Sequence, residues 1–252
     1  MIEAFIQYLQ HEKRLSAHTV AAYQNDLTQF AHFLHNTYQH DDIVTADYGL
    51  VRGWIITLAE ERLAATSVNR KIACLRTFYK YLLRRGVIHK DPVVKISMLK
   101  TKKQLPAFIQ EPDMLHVLDQ PVNDFSTART KLILELFYGT GMRLAELLQL
   151  TDKAINHHDR TVKVLGKRNK QRIIPFGAGV ANVLQTYLQL RNQTITKQNH
   201  GRLLVTDAGA PCYPMMVYRI VKENLKTYTR KSSPHVLRHT YATHLLNNGA
   251  EI

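Results

Sequence analysis

Through roughly the first ninety residues, apolar positions recur at helical spacing. Ile2, Phe5, Ile6 and Leu9 lie at i, i+3, i+4 and i+7, one stripe of a 3.6-residue period. Ser16 is placed to cap a second helix whose inward face is Val20, Tyr23, Leu27, Phe30 and Leu34. Leu50, Val51, Trp54, Ile55 and Leu58 mark a third helix. A fourth starts at Thr66 or Ser67, turns Val68, Ile72, Leu75, Tyr79 and Leu82 inward and stops at Gly86. The period is then lost across Asp91–Phe108, where two prolines and four lysines give the composition of a linker.

Helical spacing returns around Met114–Leu118 and Lys131–Phe137 and breaks at the glycines of "YGTGMRLAELLQL". Two β-branched runs follow, "RTVKVLG" and "RIIPF", separated by "KRNKQ", which predicts a small hairpin or three-stranded antiparallel sheet. Further helices are expected over Val180–Leu190 and Met215–Tyr228. A final one has Ser233 as N-cap, Pro234 in its first turn, Val236, Leu237, Tyr241, Leu245 and Leu246 as its apolar flank, and Gly249 at its end. The expected fold is mainly α: a four-helix N-terminal domain over residues 1–97, a linker over 98–106, and a mostly helical second domain with a small antiparallel sheet over 107–252.

Composition narrows the partner. The 45% hydrophobic and 21% charged content belongs to a globular chain, and no apolar run is long enough for a membrane-spanning helix. With neither a span nor a signal peptide, a cytoplasmic location is expected. Cys74 and Cys212 stand far apart, without a C-x-x-C partner, and are read as reduced thiols. The net charge is +14, with 13 basic and 9 acidic residues up to Lys100 and 21 and 11 beyond it. That excess favours a polyanion, nucleic acid first. On the fourth helix, Asn69, Arg70, Lys71, Arg76 and Lys80 form either a solvated charged face or a phosphate-contacting one.

Three short segments carry candidate chemistry. Pro234 puts His235 and Arg238 in the first turn of the last helix, beside free backbone N–H groups and the positive helix pole, a costly arrangement without an anion. His239 and His244 fall on other parts of that helix surface. His235 and His239 have zinc-pair spacing, but the intervening Val-Leu-Arg offers no glutamate base and its guanidinium repels a cation, so no metal is expected. In "GTGMRLAE", Arg143 emerges at a helix start with Glu146 three residues on, able to cap the helix or hold the guanidinium. In "VLGKRNKQR", Lys167 ends a strand in a turn with Arg168, Lys170 and Arg172.

Arg143 in "GTGMRLAEL", Lys167 in "GKRNKQR" before "IIP", and His235 and Arg238 in "HVLRHTYATHLL" resemble, in order and flanking residues, the catalytic boxes of tyrosine recombinases of the phage-integrase superfamily. The segments "LSAHTVAAYQNDLTQFAHFL" and "SVNRKIACLRTFYKYLLRRGVIHKDPV" are similar to the core-binding domain of the XerC/XerD subgroup. The resemblance implies two domains that clamp duplex DNA, and strand exchange through a 3′-phosphotyrosyl link without cofactor or metal. It gives Arg143 and Arg238 the nonbridging oxygens, Lys167 the leaving 5′-oxygen, His235 proton transfer and Glu146 a supporting role. Asn69, Arg70, Lys71, Arg76, Lys80, Arg168, Lys170, Arg172 and His239 become DNA contacts. Family members continue past "NNG" with the nucleophilic tyrosine and a docking helix that joins subunits into a tetramer on DNA. The sequence therefore reads as a recombinase truncated before its nucleophile, expected to bind without cleaving and to be monomeric in solution. The alternative is a naturally short, non-catalytic protein that occupies recombination sites.

Overall fold

The computed structural model describes residues 1–101, 107–166, 170–195 and 200–250. Helix α1 (Ile2–Gln7) runs on through a π-helical turn at Tyr8–Glu12 and seats Phe5 and Leu9 in the core. Helix α2 (Ala17–Tyr38) begins at Ser16, whose hydroxyl accepts the Thr19 N–H at 3.3 Å. Helix α3 (Tyr48–Glu60) is capped by Asp47 in the same way at 2.9 Å. Helix α4 (Ala65–Arg84) starts at Ala65, a residue ahead of the hydroxyls expected to begin it, because neither Thr66 nor Ser67 caps it. The predicted stripes meet in one core, where Phe5 packs edge-on to Phe78 with ring centroids 5.3 Å apart and Phe30 lies 4.9 Å from Trp54.

The α4 face read as a phosphate-contacting surface is largely engaged within its own unit. Lys71 is buried: its ammonium donates to Asp26 at 2.9 Å and to Gln29, and stands over the Trp54 ring. Asp26 is fully buried and also accepts from Arg70. Asn69 exchanges two hydrogen bonds with the backbone of Leu99, at 2.9 and 2.8 Å, and Arg76 donates to the Ile96 carbonyl. The placement of Lys71 on an open basic face is thus corrected. The buried Asp26 carboxylate requires paired cations, and Lys71 is the one that reaches it from inside. Lys80 is exposed.

The chain divides into two units, Met1–Lys103 and Gln104–Ile252. In the second, α5 (Glu111–Leu118) precedes α6 (Phe125–Thr140), which opens with a capping box between Asp124 and Thr127. Helix α6 ends on Gly141 in the left-handed region at φ +57. The short α7 (Leu144–Gln149) leads through a 3-10 turn into β1 (Ile155–Asn156), β2 (Thr161–Leu165) and β3 (Gln171–Pro175). These form an antiparallel sheet in the order β1-β2-β3, with Val162 opposite Ile174 and Val164 opposite Arg172. Period-two alternation puts Val162, Val164, Arg172 and Ile174 on one face, and its apolar members are buried. Helices α8 (Ala178–Thr194), α9 (Pro214–Leu225) and α10 (Pro234–Asn247) complete the unit. The protein is mainly helical with one small antiparallel sheet.

Two details of α10 differ from expectation. Ser233 occupies the N-cap position in extended conformation, but its side chain makes no capping bond. Leu245 and Leu246, expected on the apolar flank, are each 45% exposed, while Val236 and Leu237 are buried. Position 244 turns toward the core instead: His244 is buried, its Nδ1 lying 3.0 Å from the Tyr138 hydroxyl. Its imidazole is a packed, hydrogen-bonded core group, not a surface one. Among the described residues no helix is long and apolar enough to cross a membrane.

Candidate phosphate-binding site

The start of α7, the buried face of β3 and the first turns of α10 converge on an open cleft of about 440 Å³, lined by Arg143, Arg172, Arg238, His239, Gly141 and Tyr241 among others. Three guanidiniums line this space, and one carboxylate, that of Glu146, holds two of them from beneath. Arg143 is the N-cap residue of α7, and its backbone N–H donates to Glu146 Oε2 at 2.7 Å while its guanidinium donates to Oε1 at 3.0 Å. Arg172, brought beneath α7 by the alternation of β3, forks onto both oxygens of Glu146 at 2.7 and 2.8 Å. The Glu146 side chain is 3% exposed, whereas those of Arg143 and Arg172 are 52% and 37% exposed. The carboxylate lies underneath and the cations face the opening.

Burial pushes the Glu146 carboxyl up, but hydrogen bonds from Arg172 and Arg143 outweigh it and hold it below the usual range. It is therefore ionised at neutral pH. Among the described residues Arg238 has no carboxylate in contact; its hydrogen bond goes to the Gly141 carbonyl. Burial, then the neighbouring Arg143, lowers its proton affinity. Three like charges around one counter-charge leave the cleft electropositive and suited to an anion with several oxygens.

Of the residues singled out in the sequence, Arg143, Glu146, Arg172, Arg238 and His239 meet here. His235 is exposed at the start of α10 and does not line the cleft. Lys167 and Arg168 lie outside the described residues; Lys170, just ahead of β3, is exposed. Arg172, expected with the basic turn, belongs with the arginine cluster. The signal is present in "QRIIP", where Arg172 alternates in phase with the buried Ile174. Tyr241, expected on the apolar flank of the last helix, lines the cleft, and nothing in its helical spacing distinguishes it from a core aromatic.

The phage integrase family profile matches residues 101–252, and the profile for the phage integrase N-terminal SAM-like domain matches residues 2–86. The chain belongs to the phage integrase family. Among curated relatives of this tyrosine recombinase, XerC of Chlorobaculum tepidum is 33% identical over 98% of this chain and 82% of its own length. XerC of Listeria innocua is 37% identical, covering 98% and 84%. XerC of Staphylococcus aureus is 37% identical, covering 99% and 84%. Solved structures share the fold. One is the Tn1549 transposon integrase in complex with transposon right-end DNA, with a TM-score of 0.78 at 18% identity over 99% of this chain and 87% of that one. Another is XerH site-specific recombinase in a post-cleavage complex on difH substrate, with 0.77 at 17% over 99% and 74%.

Proposed function

We propose that this tyrosine recombinase chain binds duplex DNA with a phosphodiester seated among Arg143, Arg172 and Arg238. The observation that carries the reading is the convergence of three guanidiniums over a single buried carboxylate. Phosphodiester exchange without a metal needs fixed cations where charge grows on the nonbridging oxygens, and guanidiniums held in place, Arg143 by Glu146 and Arg238 by the Gly141 carbonyl, supply them. Arg143 and Arg238 meet those oxygens. Arg172 adds a third cation, and His239 stands at the same opening. By the family resemblance, Lys167 protonates the leaving 5′-oxygen and His235 assists proton transfer. The relatives solved on DNA support duplex DNA as the partner. The resemblance also implies a tetramer with partner recombinase subunits on DNA for a full-length chain, a monomer in solution for residues 1–252, and a cytoplasmic setting. Sedimentation of residues 1–252 checks the second.

The reaction also requires a tyrosine to attack in line, forming the 3′-phosphotyrosyl bond as the 5′-oxygen leaves. Among the described residues Tyr241 is the tyrosine that lines the cleft, and its ring is packed against Gly141. We therefore expect residues 1–252 to bind DNA without forming a covalent adduct. The test is a nicked suicide substrate carrying the site of a related XerC, followed by denaturing electrophoresis. Retarded complexes that vanish under denaturation support the reading. An adduct mapped to an internal tyrosine overturns the non-cleaving part, and Arg143→Ala with unchanged DNA affinity overturns the phosphate site.

A further inference from the structure

Arg238 stands apart from its neighbours in the cleft. Arg143 and Arg172 are each anchored by Glu146, but Arg238 is held by one backbone carbonyl, that of Gly141. The like charges of Arg143 and Arg172 stand close enough to disfavour its charged form. Whatever fixes the Gly141 carbonyl therefore fixes the guanidinium.

Gly141 ends α6 in the left-handed region, at φ +57. A Cβ built there would lie 2.3 Å from Tyr241 Cδ1 and 2.7 Å from Cε1. The tyrosine ring thus fills the space where any other residue would carry its side chain. Tyr241 is three residues beyond Arg238 on α10, so the helix that projects the guanidinium also projects the ring. The two side chains close on Gly141 together, one donating to its carbonyl and the other covering its Cα. Thr240, between them, donates to the Val236 carbonyl at 2.9 Å and accepts the Ile109 N–H at 3.0 Å, which holds α10 in rotation.

We propose that Tyr241 is a positioning residue for Arg238: its ring clamps the Gly141 turn so that the glycine carbonyl aims the guanidinium into the cleft. The function sits in the ring, not in the phenol hydroxyl. This explains physically why the "GTG" segment needs glycine at position 141 twice over, for its backbone conformation and for ring clearance. The proposal rests on the reading of the cleft as a phosphate site, and its test separates the two.

The experiment is a thermodynamic cycle on the full 252-residue chain, with a fluorescent mixed-sequence DNA duplex as probe and anisotropy as readout. The variants are Arg238→Ala, Tyr241→Phe, Tyr241→Leu and the double variant Arg238→Ala/Tyr241→Leu. Leucine keeps apolar volume but loses the flat ring. Tyr241→Phe is expected to bind as the wild type does. Tyr241→Leu is expected to lose about tenfold in affinity, much as Arg238→Ala does, and the double variant to lose no more than Arg238→Ala alone. A spectroscopic arm reads the Arg238 guanidinium in the NMR spectrum, assigned by its disappearance in Arg238→Ala. Its signal should hold its position in Tyr241→Phe and move toward that of a free arginine in Tyr241→Leu, whether or not DNA is present. Additive losses, or an Arg238 signal unmoved by Tyr241→Leu, overturn the positioning role. A moved signal with DNA affinity unchanged in Arg238→Ala overturns the phosphate reading and leaves the positioning role standing. If Tyr241→Leu does not fold, loss of binding or a moved Arg238 signal in Tyr241→Phe overturns the assignment to the ring.

Discussion

Replacing Glu146 with glutamine tests the carboxylate beneath the arginine cluster. The side chains are nearly isosteric, so packing is preserved. The carboxylate accepts four hydrogen bonds, two on each oxygen, and a glutamine there would accept only the pair on the oxygen it keeps. Its amide NH2 would face two donors. Hydrogen bonds to a charged group contribute about 1.5–3 kcal/mol each when deleted, and breaking a buried pair costs about 3–5 kcal/mol. Both guanidiniums are more than one-third exposed, so water recovers part of that. A net loss of about 3 kcal/mol follows, a melting point lower by about 10 °C for a unit of this size.

Sign and pH window are fixed by the depressed Glu146 carboxyl. A group whose folded-state pKa lies below its ordinary 4.5 stabilises the fold fully above that value and loses the contribution as pH falls through the folded one. The gap between wild type and Glu146→Gln should be constant near neutrality and shrink as acid is added below about pH 4.5. Added sulfate should recover more stability in the variant, which has lost its counter-charge. Thermal unfolding followed by circular dichroism across pH and sulfate concentration reads all three. Equal melting points at pH 7, or a gap unchanged in acid, would refute the structural reading of Glu146.

Lys71→Met and Lys80→Ala should separate two kinds of α4 lysine: the first destabilises the N-terminal unit by about 2 kcal/mol in urea titration, because the buried Asp26 loses one charged hydrogen bond and keeps, among the described residues, only Arg70 as its cation. The second leaves stability alone and, if Lys80 meets a phosphate, flattens the salt dependence of DNA binding by about 0.9 in log–log slope. On α6, burial raises the Glu135 carboxyl above the usual range against the opposing charge of Lys131. A raised carboxylate costs stability above its folded pKa, so Glu135→Gln should melt higher at neutral pH, and the advantage should fade as pH falls through that pKa. An unchanged melting point at neutral pH would place Glu135 in water.

The stripes that form α2, α3 and α4 can be read because each is a local pattern, and Ser16 announces its helix by chemistry within three residues. Arg143 and Glu146 are legible for the same reason, being one helical turn apart. Lys71 is not. Its helical spacing borders the apolar stripe, but the carboxylate that draws it inward is Asp26, 45 residues earlier. The partnership of Arg172 with Glu146 spans 26 residues, and it shows only once strand register is known. Leu245 and Leu246 look like core residues because hydrophobicity alone does not say which face of a helix finds a neighbour. The π-helical turn at Tyr8–Glu12 adds a residue to the helical repeat without any mark in composition.

The hydrogen bond from Ile109 to Thr240 joins residues 131 positions apart. It links the stretch of chain that enters the second unit to the last described helix, whose Val236 and Leu237 also complete the core. Such long closure makes folding of this unit wait on its own synthesis. The first unit is assembled from contacts that all lie upstream of Lys103 and is free to fold as it leaves the ribosome. The second gains the last part of its core only when α10 emerges, and only then does Arg238 reach Gly141. The anion-binding cleft thus takes shape only after α5 to α8 have left the ribosome, since its third guanidinium arrives with α10.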